Sequence, residues 1–166
     1  MTDEKKHLNK VAPKHRQKEN APNSRPQQTS VRNFYAIYIA VDKYPHFKQL
    51  QGCENDAREM EKQLQDQHNF TTFGRLLGVD ATLAKIEQLF KNVGNKIMPG
   101  DQLLVFMAGH GSQQGFLCYD CPPTMKKNII GYSDLLKTLI EKNKVLATHV
   151  LFVLDSCYSG AAVKDR

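Results

Sequence analysis

An α/β class with a mostly parallel sheet follows from three observations on the 166-residue sequence. Apolar runs without charge alternation stand at 34–41, 103–107 and 151–154, as in strands covered on both faces. Helical patterns of ten or more residues separate them, which calls for right-handed crossovers between parallel neighbours. The second and third runs also stop abruptly at glycine, histidine, acid, hydroxyl and thiol groups, and in parallel sheets ligands collect at the carboxyl edge.

The elements follow in order. Phe34 to Val41 reads as the first strand, stopped by Asp42-Lys43-Tyr44-Pro45, where proline forbids continuation. From about Glu54 the spacing of Ala57, Met60 and Leu64 gives one apolar helical face that runs to about Gln67. Thr71 to Leu77 is a weaker strand. Asp80 or Thr82 caps the next helix, where Leu83, Ile86, Leu89 or Phe90, Val93 and Ile97 recur at helical spacing and Pro99-Gly100 closes it. Asp101 to Ala108 is a strand, and Ser112 to Asn128 reads as a long loop with a short hairpin around Phe116 to Tyr119. Ile129-Ile130 opens a turn at Gly131, and Ser133 is expected to cap a helix with Leu135, Leu136, Leu139 and Ile140 inward. Thr148 to Leu154 is the final strand.

Charge is distributed unevenly. The net +6 divides into eight Lys or Arg against three acids over residues 1–33, and 15 against 14 over 34–166. The leader 1–33 is polar and almost free of large apolar residues, so it cannot offset the entropy of ordering and reads as disordered. It lacks the aromatic interleaving of a nucleic-acid surface, so no nucleic-acid partner is expected. No apolar run approaches the roughly 20 residues of a membrane span, and the start lacks a signal-peptide core. No membrane partner is expected either, and the default location is the cytoplasm. In a reducing compartment Cys53, Cys118, Cys121 and Cys157 are free thiols. Cys118 and Cys121 have the spacing of half a zinc site, but no second pair follows and metal or disulfide function is not expected there.

His110 stands at the end of one strand and Cys157 at the end of another, each flanked within a few residues by glycine. Alone, such a histidine reads as a strand end, and a free cysteine is most often a buried apolar filler. If the strands are neighbours, about 4.8 Å apart, imidazole and thiol emerge on one edge as base and nucleophile. The amides of Gly111 and Cys157 are then candidate donors to a tetrahedral oxyanion.

Ala108-Gly109-His110-Gly111, Asp155-Ser156-Cys157-Tyr158-Ser159-Gly160 and Gly52-Cys53-Glu54-Asn55-Asp56-Ala57 together resemble the caspase-like cysteine peptidases of clan CD, in the metacaspase and orthocaspase branch. The likeness runs from about Phe34 to Gly160. Cys157 lies 47 residues after His110, close to the caspase spacing of about 50, but its surroundings are not the caspase Gln-Ala-Cys-x-Gly pattern. The resemblance implies a three-layer sandwich with helices on both faces of the sheet and endopeptidase cleavage after Arg or Lys through Cys157 and His110. It also places Cys53, Asp56, Ala108 and Asp155 in the primary specificity pocket, where two carboxylates select a cationic side chain. Read without it, Asp56 is a helix N-terminal carboxylate and Asp155 a strand-end cap.

The chain also departs from that branch. Many of its members carry acids after the histidine segment that bind calcium, whereas Ser112 to Asn128 offers only Asp120 alongside Lys126 and Lys127. No cofactor is required on this reading, and Ca2+ activation is not favoured. The family fold needs further strands beyond the nucleophile, so a C-terminal small-subunit portion is an expected partner, with protein or peptide substrates as the other. A zymogen that cuts after basic residues would process itself after Lys164 or Arg166. The rival reading is a catalytically silent caspase-like scaffold or regulatory module. A nucleotide-binding domain is disfavoured because Val41-Asp42-Lys43-Tyr44-Pro45 stands where a glycine-rich phosphate turn would follow the first strand.

Overall fold

Four parallel strands carry the architecture: β1 (Phe34–Ala40), β2 (Phe70–Leu77), β3 (Gln102–Gly109) and, last in the chain, Residues His149–Ser156, in the spatial order second, first, third, last. The computed structural model describes residues 33–157, so the leader through residue 32, the segment from Tyr158 through Gly160, and Lys164 and Arg166 lie outside the described residues. Between β3 and the last strand, β4 (Gly111–Ser112), β5 (Gly115–Leu117) and β6 (Ile129–Ile130) form a small antiparallel sheet, which makes the last strand β7.

The two central strands β1 and β3 are apolar on both faces because both faces are covered. Ile37, Ile39, Leu103, Val105 and Met107 point into one core with Ile86, Phe90 and Val93 of helix α2 (Leu83–Lys96). Tyr38, Leu104 and Phe106 point to the opposite side, where helix α1 (Cys53–His68) packs with Ala57, Met60 and Leu64. Each fully buried large side chain contributes about 1.5–3 kcal/mol by leaving water. The weaker strand signal of β2 has a physical cause, since it lies on the sheet edge and no residue in it is fully buried. A bulge at Phe73, between the Ala36 and Ile37 pairings, shifts its register.

Helix boundaries differ slightly from the sequence expectation. Thr82 is the cap of α2, its hydroxyl accepting from Lys85 N at 3.4 Å, while Asp80 pairs with the Lys85 ammonium. Helix α1 starts at Cys53 behind Gly52, whose φ of 103° is one that glycine adopts without a Cβ penalty. Its first amides are satisfied from outside the helix: Asp42 accepts from Cys53 N at 2.8 Å and from Glu54 N at 3.4 Å.

Three expectations between β3 and β7 need correction. The hairpin spans β4 and β5, upstream of the expected Phe116 to Tyr119, and Ile129-Ile130 is a strand paired with β5 rather than a turn opening. Ser133 caps no α-helix. The segment forms a π-helix, Leu136–Glu141, with i to i−5 bonds such as Lys142 N to Lys137 O at 2.9 Å. The wider turn rotates the apolar face, so Leu135 and Leu139 are buried while Leu136 is 52% exposed.

Candidate active site

Strands β3 and β7 run in register to their carboxyl ends, where Ala108 pairs with Asp155 and Gly109 with Ser156. His110 and Cys157 are each the next residue after that last pair. The two chain ends touch just beyond it: a Cβ built on Gly111 would overlap the Cys157 carbonyl and the Tyr132 hydroxyl. Glycine is therefore required at 111 by close backbone approach. Cys157 is a free, exposed thiol.

The imidazole is held from several sides. Its Nε2 lies 2.6 Å from the carbonyl oxygen of Lys48, which can only accept, so Nε2 carries the proton and Nδ1 is the basic nitrogen of the neutral ring. The rings of Tyr44 and Phe47 pack against it at centroid distances of 5.0 and 6.0 Å. Tyr44 also fixes the backbone, its hydroxyl accepting from His110 N at 3.0 Å and donating to Leu117 O at 2.9 Å. Burial raises the Tyr44 pKa, which keeps the phenol protonated as that donation needs.

On the α1 side of the sheet lie the residues assigned to the pocket. Ala108 is fully buried and its neighbour Asp155 is exposed. The Cys53 thiol is pushed up to about 12 by burial first, then by the charge of Asp42 and its hydrogen bond, and by the charge of Asp155. Cys53 is therefore a neutral wall at neutral pH, with two carboxylates near it. Asp56 sits in the first turn of α1, exposed, with Oδ2 3.7 Å from the position of a Gly52 Cβ. The acids acting on the Cys53 thiol are Asp42 and Asp155, and Asp42 was read from the sequence only as part of a strand stop. Its role is visible only once the fold brings residue 42 to the amino end of α1.

Tyr44, Lys48 and Tyr132 were likewise missed. A carbonyl such as that of Lys48 leaves no side-chain signature, Tyr44 was read only as part of the strand stop, and Tyr132 carried no reading. The other candidate features are two thiols, one acid and a cleft. Cys118 and Cys121 are free, buried thiols whose pKa values burial raises, joined by a turn in which Cys121 N donates to Cys118 O at 3.0 Å. Asp120, the one acid of the 112–128 segment, accepts from Leu83 N at 3.1 Å and from the Asn128 amide at 2.8 Å. Among the described residues no group of three or more His, Cys, Asp or Glu is placed to hold a metal. A cleft of about 590 Å³ between β2 and α2 is lined by Tyr35, Thr71 and Lys96, at the amino edge of the sheet and remote from His110.

No helix among the described residues is long and apolar enough to cross a membrane. No curated protein matches the chain. The family model described as Caspase domain matches residues 33–166, which covers all four parallel strands and both glycine-flanked edge motifs. The chain belongs to the caspase-domain family of cysteine peptidases.

Proposed function

We propose that the protein is an endopeptidase of the metacaspase type that cleaves after Arg or Lys, with Cys157 as nucleophile and His110 as base. The observation that carries the reading is the in-register end of β3 and β7, which delivers residues 110 and 157 to one edge. The Lys48 carbonyl supports it by leaving Nδ1 of His110 as the basic nitrogen. His110 takes the thiol proton as sulfur attacks the scissile carbonyl carbon, and the carbonyl electron pair moves onto oxygen. The amides of Gly111 and Cys157 stabilise that oxyanion, each donor being worth about 3 kcal/mol. Collapse of the intermediate breaks the C–N bond, and His110 returns the proton to the leaving amine. Water, deprotonated by His110, then attacks the thioester, and the C–S bond breaks to restore the thiol.

Selection of a basic residue rests on Asp155 beside Ala108 and Cys53, with Asp56 at the mouth of α1 and Asp42 behind it. A guanidinium is bound by carboxylates through charge-assisted, bidentate bonds that an uncharged side chain cannot make. The family-type C-terminal portion is proposed to dock on β7, which is the edge strand of the described sheet and carries Leu151 at 57% exposure. No calcium step is needed in this scheme, and the cytoplasm suits a peptidase that depends on a reduced thiol.

Fluorogenic peptides with Arg, Lys or Asp before the scissile bond test the reading on the whole protein. Turnover of the Arg and Lys peptides that vanishes in Cys157→Ala is the expected result. Absence of turnover on all three, with and without calcium, would establish the silent scaffold instead.

A further inference from the structure

The end of β7 presents a problem of backbone satisfaction: past Ser156 the ladder to β3 stops, and among the described residues the Cys157 carbonyl has no strand partner. Tyr132 answers it from another element. Its ring is 3% exposed, just before the π-helix, and its hydroxyl lies 3.0 Å from Cys157 O and 2.5 Å from Ser156 Oγ. Valence fixes the proton order. A phenol has one proton and a carbonyl can only accept, so Tyr132 donates to Cys157 O and the Ser156 hydroxyl donates to Tyr132. The same hydroxyl is one of the two groups that a Cβ on Gly111 would strike, the other being Cys157 O itself. Three backbone or side-chain groups thus meet at one point, and two of them belong to the residues whose amides would hold the oxyanion.

We infer that Tyr132 is the positioning residue of the nucleophile turn, whose phenol, primed by Ser156, holds the Cys157 carbonyl beside Gly111 and so fixes the backbone that carries the thiol. The kinetic part of this inference rests on the peptidase reading; the structural part does not. Tyr132 touches neither substrate nor the sulfur chemistry. It acts through the backbone of Cys157, where a displacement of about 1 Å costs on the order of 100-fold in rate. Burial raises the Tyr132 pKa most, with the Cys157 charge adding to it and the Ser156 bond opposing, so the phenol keeps its proton through neutral pH.

The test compares the whole protein with Tyr132→Phe and Ser156→Ala by amide hydrogen exchange and by steady-state kinetics on an Arg peptide. In Tyr132→Phe, exchange across 109–112 and 155–157 is expected to rise about tenfold while β1 and α2 stay within twofold, and kcat to fall about 10- to 100-fold with KM within twofold. Ser156→Ala, which removes only the donor into the phenol, is expected to move the same quantities in the same direction by less, and it carries the test if Tyr132→Phe does not fold. Exchange in the two segments within twofold of wild type overturns the inference, and so does looser exchange with kcat unchanged. If the wild-type protein turns over no peptide, the peptidase reading fails, and the exchange measurement alone decides whether Tyr132 holds the turn.

Discussion

Ala108 and Asp155 face each other across the β3–β7 ladder, one small, buried and apolar, the other exposed and acidic. Side chains of paired residues in a parallel sheet share a face, so both stand on the α1 side with Cys53. On the proposed reading, the carboxylate of Asp155 meets the basic side chain of the substrate. Asp155→Asn keeps the shape and removes the charge. It is expected to lower kcat/KM for Arg and Lys peptides about tenfold, which is ~1.4 kcal/mol, while iodoacetamide still labels Cys157 at the wild-type rate. Equal loss on a peptide with an uncharged residue at the same place would show that Asp155 does not read charge.

The main strands themselves were legible because β1 and β3 bury both faces and so show continuous apolar runs. Thr82 and the α2 face were legible for a similar local reason. What escaped the sequence is long-range or too short to have a period. Strands β4 and β6 have two residues each, fewer than one alternation can reveal. Asp42 caps a helix that begins 11 residues later, and Tyr132 supports a residue 25 positions away. Such contacts are products of the closed fold.

Cys53 gives the fold a signature in alkaline solution. Its thiol is held at about 12 in the folded chain against an ordinary 9.0. The fold keeps a proton there that the unfolded chain has lost, so stability is fully present below about pH 9 and falls as pH rises toward 12. Tyr38, also pushed up to about 12, from 10.0, adds to the upper part of that window. Thermal unfolding between pH 8 and 11 should therefore show a falling Tm, with a shallower fall in Cys53→Ala. Parallel slopes for the two proteins would remove Cys53 from the account.

Gly111 and Gly131 offer a paired test of close approach. A Cβ at 111 meets backbone of Cys157 and the Tyr132 hydroxyl, neither of which is a flexible side-chain end, whereas at 131 the nearest atoms are 3.5 Å away, an ordinary contact. Gly111→Ala is expected to cost about 1–3 kcal/mol by overpacking and to abolish turnover, since the strand ends must part. Gly131→Ala should stay within about 0.5 kcal/mol of wild type. Urea denaturation of both variants measures this, and equal midpoints would contradict the contact at 111.

Tyr44 ties three pieces of the site with one oxygen, accepting from His110 N, donating to Leu117 O, and packing its ring on the imidazole. Tyr44→Phe preserves the ring packing and deletes only the oxygen. The Leu117 carbonyl, in a fully buried strand, and the His110 amide then lose their partner, at a cost of about 1–3 kcal/mol. On the proposed mechanism, in which the imidazole moves protons rather than holding the peptide, the loosened His110 backbone should also lower kcat more than it raises KM. Denaturant midpoints and kinetics on an Arg peptide check the two effects separately. A variant with wild-type stability and wild-type kcat would show that the Tyr44 oxygen does not hold the imidazole, which then rests on its Nε2 bond to Lys48 and on the rings at 44 and 47.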